Sequence, residues 1–136
     1  MLDTDTASYV IRGRAPGIEA KVMAIAAEQL CVSAVTCAEL MYGLKRVAAG
    51  HRLHAGVRQF LNIVTVLAWG REAAEHYAEI RHRLTLDGLP IGDADMMIAA
   101  HALAMEAVLV TNNVRHFGRV AGGLVVENWA GSPAIF

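Results

Sequence analysis

The sequence is short of cysteine, proline and aromatic residues, and these shortages exclude several classes of protein. Its 136 residues include 2 cysteines, 3 prolines and 6% aromatic residues. Cys31 and Cys37 lie among apolar neighbours and are too few for a disulfide framework, so we expect two reduced thiols. Charged residues reach only 18%, against 55% hydrophobic residues. That balance excludes an intrinsically disordered chain and predicts one folded domain.

Long hydrophobic runs are also lacking. The longest uncharged apolar stretches, residues 59–70 and 96–105, fall short of the ~18 residues that a membrane-spanning helix needs. The chain opens on Met-Leu and then on two acids, Asp3 and Asp5, which is the reverse of the basic start of a secretory signal. We therefore expect a cytoplasmic protein with no membrane association.

Acidic and basic residues nearly cancel, with 13 against 12, but they are unevenly distributed. Residues 40–71 contain five basic residues, two histidines and no acid, whereas residues 72–106 contain seven acids and two basic residues. A basic segment beside acidic ones suits a protein that holds a polyanion and also keeps carboxylates for metal ions. A basic helical hairpin that is merely solvated is the alternative that composition leaves open.

Helices should dominate, because the chain has 24 alanines and few prolines. Apolar residues at three- and four-residue spacing predict helices over residues 21–30, 37–48, 52–63, 71–86 and 94–107. Short β-rich runs predict strands at residues 31–35, 63–67, 108–111 and 124–126, with a very short first strand at residues 1–3.

These elements predict an α/β fold with a short, mostly parallel central sheet flanked by helices. The runs at residues 108–110 and 124–126 are continuously apolar and follow helical segments, which is typical of parallel strands covered on both faces. We expect a single domain over residues 1–130. Residues 131–136 have no pattern and should form a loosely held C-terminal tail.

Acids stand where the predicted strands end. Asp3 ends the first strand, Glu39 follows the second, and Asp95 opens a late helix. Ligands of open parallel sheets bind outside the carboxyl ends of the strands. Three carboxylates brought to one edge would form the oxygen-rich pocket that Mg²⁺ or Mn²⁺ prefers.

Each acid also has a purely structural interpretation. Glu39 lies three residues after Thr36, the spacing of a capping box. Asp93 is a plausible N-cap, and Asp95 would lie in a first helical turn, where the helix dipole favours negative charge. Asp3 could cap a helix that begins near residue 6. Only convergence of the three acids would favour a metal site over three separate caps.

Four segments resemble, in this order and spacing, the PIN-domain ribonucleases, and most closely the VapC toxins of toxin–antitoxin pairs. They read MLDTD, VSAVTCAELMYG, IGDADMMIAAHALA and LVTNNVRHFGRVAGGLVVENW. The resemblance covers nearly the whole chain and implies a PIN-like three-layer fold. It also implies that Asp3, Glu39 and Asp95 are the catalytic residues and the ligands of Mg²⁺ or Mn²⁺.

The fourth acidic position of the family falls on Asn113, where many relatives have Asp. An amide can accept a hydrogen bond but supplies no negative charge, so a second metal ion would be held less tightly. Asp93 and Thr111 are further candidates for this secondary site, and each also fits a cap or turn role.

The resemblance implies a metal-dependent endoribonuclease toxin that is neutralised by a cognate VapB-type antitoxin. Single-stranded or looped RNA is the expected substrate. Surplus apolar helix faces predict a homodimer or a higher homo-oligomer. The alternative is a catalytically inactive PIN-like module that binds RNA or protein. The basic residues expected to bind RNA are Lys45, Arg46, Arg52, Arg58 and Arg115.

Overall fold

The computed structural model describes residues 1–130, and the predicted tail at 131–136 lies outside them. The described helices are α1 Thr4–Arg12, α2 Pro16–Ala24, α3 Ala34–Lys45, α4 Leu53–Ile63, α5 Arg71–Leu86, α6 Asp93–Ala104 and α7 Val114–Phe117. The strands are β1 Cys31–Ser33, β2 Thr65–Leu67, β3 Leu109–Val110 and β4 Val126–Glu127. Within residues 1–130, no helix combines the length and the apolar character needed to cross a membrane.

The central sheet consists of two parallel strand pairs joined through Leu2. Strand β1 pairs with β2, and β3 pairs with β4. Leu2 forms parallel bridges to Val32 on one side and to Val110 on the other. The spatial order is therefore β2, β1, Leu2, β3, β4. The predicted first strand is reduced to this one bridging residue, because the chain enters α1 at Thr4.

Helices cover both faces of the sheet, as the sequence predicts. Successive residues of an extended chain point to opposite faces, and Met1 and Leu2 accordingly join two different hydrophobic clusters. The first cluster includes Met1, Leu109, Ile80 and Leu84 of α5, and Ile98 of α6. The second includes Leu2, Val110, Ala7 of α1, Ile18 of α2, and Val57 of α4.

The early helices differ most from the sequence prediction. The helix predicted over residues 21–30 is wrong in position, because α2 occupies Pro16–Ala24 and a short 3₁₀ turn follows at Ala27–Gln29. Pro16 starts α2, since a proline needs no N–H partner in the first helical turn. Gly13 ends α1 in the left-handed conformation, with φ of 64°.

Candidate active site

Asp3 stands between the central bridge at Leu2 and the first turn of α1. It is 4% exposed, and the backbone N–H of Thr6 donates a hydrogen bond to its Oδ1 at 2.8 Å. Burial raises the pKa of Asp3, against the opposing effect of hydrogen bonds from Thr111 and Thr6. The cap interpretation is thus correct for Asp3. It does not exclude a site role, because the cap fixes a buried carboxylate at the sheet edge.

Glu39 turns toward α1 rather than back along its own helix. The Thr4 hydroxyl donates a hydrogen bond to Glu39 Oε1 at 2.5 Å and lies 3.2 Å from the Thr36 hydroxyl. The N-cap of α3 is Ser33, whose side chain accepts from the Val35 N–H. The capping box interpretation of Thr36 and Glu39 is therefore wrong, and Glu39 points to the residue that follows Asp3.

Asp95 lies in the first turn of α6, and the other two acids act on it. Partial burial raises the pKa of Asp95, and the negative charges of Asp3, Glu39 and Asp5 raise it further. His116 opposes this rise, with its Nδ1 3.9 Å from Asp95 Oδ2. Three elements distant in sequence thus bring mutually repelling carboxylates together. We call Asp3, Glu39 and Asp95 the acidic cluster.

The acidic cluster is loose rather than a closed set of ligands. Within residues 1–130, no three His, Cys, Asp or Glu side chains are arranged so that they could hold one metal ion. Asp3 accepts a hydrogen bond from the Thr6 N–H, and Glu39 accepts one from the Thr4 hydroxyl. The donor set itself is one that hard divalent cations select, because it consists of carboxylate oxygens with excess negative charge.

The secondary candidates have different surroundings. Thr111 is fully buried, and its hydroxyl accepts a hydrogen bond from the Asn113 N–H at 2.9 Å. Asn113 is the N-cap residue of α7 but makes no side-chain cap bond. The prediction that Asp93 is the N-cap of α6 is wrong, because Gly92 takes that position. The exposed Asp93 carboxylate lies 3.8 Å from Arg81 of α5.

The five basic residues predicted to bind RNA are all exposed. Lys45 ends α3, Arg46 is its C-cap, and Arg58 lies on α4. Arg52 is the N-cap residue of α4, and Arg115 lies on α7. None of the five takes part in an ion pair within residues 1–130, so their charges are available to an external anion.

A buried contact between Ser33 and His101 is the feature near the acids that sequence reasoning missed. The Ser33 hydroxyl and His101 Nδ1 lie 2.7 Å apart, and both residues are buried. Burial lowers the pKa of His101, which favours its neutral form. The contact joins α6, which carries Asp95, to the start of α3, which carries Glu39. A separation of 68 residues left no local signal of it.

Ser33→Ala should lower the free energy of unfolding by about 1–3 kcal/mol, because it leaves a buried His101 nitrogen and the Val35 N–H without their partner. Urea unfolding of the purified chain measures the decrease. In Ser33→Ala/His101→Leu the effects of the two substitutions should not add, since both remove the same hydrogen bond. Strict additivity would show that the two side chains contribute independently.

A family model for the PIN domain matches residues 1–123 of the chain. The fold is therefore that of a PIN domain. The chain is 36% identical over 129 residues to the tRNA(fMet)-specific endonuclease VapC of Salmonella typhimurium, covering 95% of this chain and 96% of the relative. It is 39% identical over 129 residues to the ribonuclease VapC2 of Haemophilus influenzae, with the same coverage. The chain belongs to the VapC family of PIN-domain proteins.

Solved structures of the same family agree with the architecture. DNA-bound VapBC from Salmonella typhimurium matches with a TM-score of 0.87 and 36% identity, over 95% of this chain and 96% of that chain. VapBC2 from Rickettsia felis, bound to a DNA fragment of its promoter, matches with a TM-score of 0.87 and 31% identity, over 95% and 97% of the two chains. The predicted PIN-like fold, with short parallel strands between helices, is confirmed.

Proposed function

We propose that the chain is a metal-dependent endoribonuclease toxin whose catalytic residues are Asp3, Glu39 and Asp95. The observation that carries this proposal is the acidic cluster, in which burial and then the charges of Asp3 and Glu39 raise the pKa of Asp95. Proteins rarely bring unpaired carboxylates together without a cation or a proton to offset them. The relatives named as an endonuclease and a ribonuclease support RNA as the substrate.

Mg²⁺ or Mn²⁺ is the proposed cofactor, because the chemistry of these donors suits such an ion although the three carboxylates do not form a closed site within residues 1–130. Three carboxylates offer the hard oxygen ligands that these ions prefer, and a divalent charge would relieve their repulsion. When bound, such an ion lowers the pKa of a water molecule and offsets the charge that builds on a phosphodiester in the transition state. Asn113, Asp93 and Thr111 remain candidates for a secondary site. Thr111 is the one with a direct effect on the acidic cluster, because its side-chain hydrogen bond opposes the rise in the pKa of Asp3.

The chain's own residues would hold the reacting groups in place. The cap bond from Thr6 fixes Asp3, and the Thr4 hydroxyl fixes Glu39. The proposed reaction is hydrolysis, in which a water oxygen bonds to phosphorus and the bond from phosphorus to the 3′ oxygen breaks. The products are a 5′ phosphate and a 3′ hydroxyl. The basic side chains of α3 and α4 would offset repulsion between the RNA and the acids.

We further propose a VapB-type antitoxin as partner, because both matched structures are VapBC complexes. Met41 and Tyr42 of α3 are exposed just after Glu39. An antitoxin segment would pack apolar side chains there and present an Arg or Lys to the acidic cluster.

We also propose that the chain self-associates through other exposed apolar residues, which include Met23, Ile63, Leu86 and Met105.

The second candidate function is an inactive PIN-like module that binds RNA or protein. One observation and one implication of the resemblance support it. The acidic cluster is loose within residues 1–130, and the resemblance places Asn113, which carries no negative charge, at the family's fourth acidic position. In this alternative the acids serve as caps and in local hydrogen bonds, and the basic residues carry the binding.

Cleavage of RNA by the purified chain separates the two functions. Total RNA should yield fragments with 5′ phosphates when Mg²⁺ or Mn²⁺ is present and should stay intact in EDTA. Expression of the chain should arrest growth, and the product of the neighbouring small reading frame should relieve the arrest and co-purify with the chain. RNA that is bound but uncut under every divalent condition would establish the inactive module instead.

A further inference from the structure

A pocket lined by basic side chains lies between the end of α1 and the start of α4. Its volume is about 400 Å³. The basic residues that line it are Arg12, Arg14, His51 and Arg52, and its remaining lining is apolar or glycine. Among the described residues, no acidic side chain lines it. We call it the arginine pocket.

The charges of the arginine pocket have no partner within the described part of the chain. Ion pairs with N···O distances up to 4.0 Å are formed by other arginines, and none includes Arg12, Arg14 or Arg52. Guanidinium groups that share a pocket repel each other, so an anion between them would be stabilised. The planar guanidinium group of arginine can also donate two parallel hydrogen bonds to two oxygens of one phosphate.

His51 adds a hydrogen-bond donor to this pocket. The backbone N–H of Leu53 donates a hydrogen bond to His51 Nδ1 at 3.1 Å. Because Nδ1 acts as the acceptor, the neutral ring carries its proton on Nε2. His51 Nε2 is therefore available as a hydrogen-bond donor to an anion.

The arginine pocket adjoins a smaller pocket that is lined by Glu39 of the acidic cluster. The smaller pocket has a volume of about 90 Å³, its lining includes Thr4 and Glu39, and it shares Ile11, Arg12 and Leu53 with the arginine pocket. Both pockets are lined in part by α1, and we call the two adjoining pockets the groove. Thr4 and Arg12 are eight residues apart, which is about 12 Å along a helix axis.

We propose that the arginine pocket is a phosphate-binding subsite for the RNA strand, which fixes the register of the strand over the acidic cluster. This inference rests on the proposed endoribonuclease function and adds a part of the substrate to it. A strand whose scissile phosphate lies at the acidic cluster would follow the groove and place another phosphate among Arg12, Arg14 and Arg52. The attraction there would offset the repulsion between the scissile phosphate and the carboxylates.

Binding of a fluorescent single-stranded RNA oligonucleotide tests the subsite. The measurement uses an Asp95→Asn chain, so that the RNA is not cut, and follows anisotropy over a series of salt concentrations. Adding Arg12→Ala and Arg52→Ala should weaken binding at least about tenfold. The slope of log K against log salt should fall by about 0.7 for each phosphate that the variant no longer neutralises.

The matched control removes two arginines that have local partners. Arg71 and Arg83 pair with Glu75 and Glu79 on α5, so Arg71→Ala/Arg83→Ala changes the net charge equally but should leave the salt slope unchanged. Arg12→Lys/Arg52→Lys should keep most of the salt slope but bind RNA more weakly, because lysine retains the positive charge and cannot donate the two parallel hydrogen bonds of a guanidinium group. Circular dichroism melts verify that each variant is folded.

The possible failures are distinguishable. The subsite would be overturned if Arg12→Ala/Arg52→Ala left the RNA affinity and the salt slope equal to those of the Asp95→Asn chain that keeps both arginines. If the unmodified chain still cleaves RNA, the endoribonuclease function would stand. A slope that falls only with Lys45→Ala/Arg46→Ala would overturn it too, and would place the strand along the end of α3. A defect in antitoxin binding alone would overturn the RNA subsite and assign the pocket to the protein partner. RNA neither bound nor cleaved by the unmodified chain would overturn the proposed function and the subsite together.

Discussion

Asp3→Asn should abolish metal-dependent RNA cleavage while the chain stays folded. The substitution keeps the size of the side chain and removes its negative charge, so the acidic cluster loses a buried carboxylate that we propose as a metal ligand. Removal of an outer-sphere partner at a metal site costs roughly 10- to 100-fold, and removal of a ligand should exceed this. Initial rates on RNA at saturating Mg²⁺ and Mn²⁺ measure the fall.

The fold should survive because Asn and Asp cap helices about equally well. The side-chain amide oxygen introduced by Asp3→Asn can still accept the Thr6 N–H, and the charge that burial disfavours is gone. Asp3→Ala is the matched control. It should abolish cleavage and also lower stability by about 1 kcal/mol, because the cap is removed. An Asp3→Asn chain that cuts RNA at the unmodified rate would show that Asp3 is not one of the proposed catalytic residues.

The unmodified chain should lose stability as the pH rises through the acidic range and should gain stability when divalent cations bind. Burial and neighbouring charges raise the pKa values of Asp3 and Asp95 above the ordinary value of 3.8. The folded chain therefore holds more protons than the unfolded chain between the ordinary and the raised pKa values. The free energy of unfolding contributed by these acids is fully present below pH 3.8 and is lost as pH rises through the raised values.

A divalent cation should reverse this loss at neutral pH. A ligand that binds only the folded state adds about 2.7 kcal/mol when its concentration is 100 times Kd. Urea unfolding of the chain at about pH 7, in EDTA and then in rising Mg²⁺ or Mn²⁺, measures the gain without any cleavage assay.

Asp95→Asn provides the comparison for both effects. In EDTA at neutral pH it should be at least as stable as the unmodified chain, because it removes a charge that Asp3 and Glu39 repel. Divalent cations should raise the free energy of unfolding of the Asp95→Asn chain only slightly. An equal rise in both chains would show that the cation binds elsewhere on the surface.

Local pattern was sufficient to predict the later helices and the type of sheet. Helix α5, predicted over residues 71–86, spans Arg71–Leu86, because its apolar residues recur at helical spacing and Gly70 precedes it. The continuous apolar run at residues 108–110 predicts a parallel strand covered on both faces, and β3 is such a strand, with both its residues buried. By contrast, the helix predicted over residues 21–30 lies at Pro16–Ala24 instead, because a proline fits both a turn and a first helical turn and does not by itself indicate which one forms.

The sequence by itself determined the chemistry that is available: carboxylates at the ends of separate elements and a basic stretch without acids. Only the tertiary structure decided which interpretation of each acid holds. Glu39 accepts a hydrogen bond from Thr4, 35 residues away, instead of closing a capping box with Thr36. Asp93 forms an ion pair with Arg81 instead of capping α6. The physical reason is that a cap depends on the backbone within a turn, whereas the acidic cluster and the groove beside α1 depend on the packing of helices far apart in the chain.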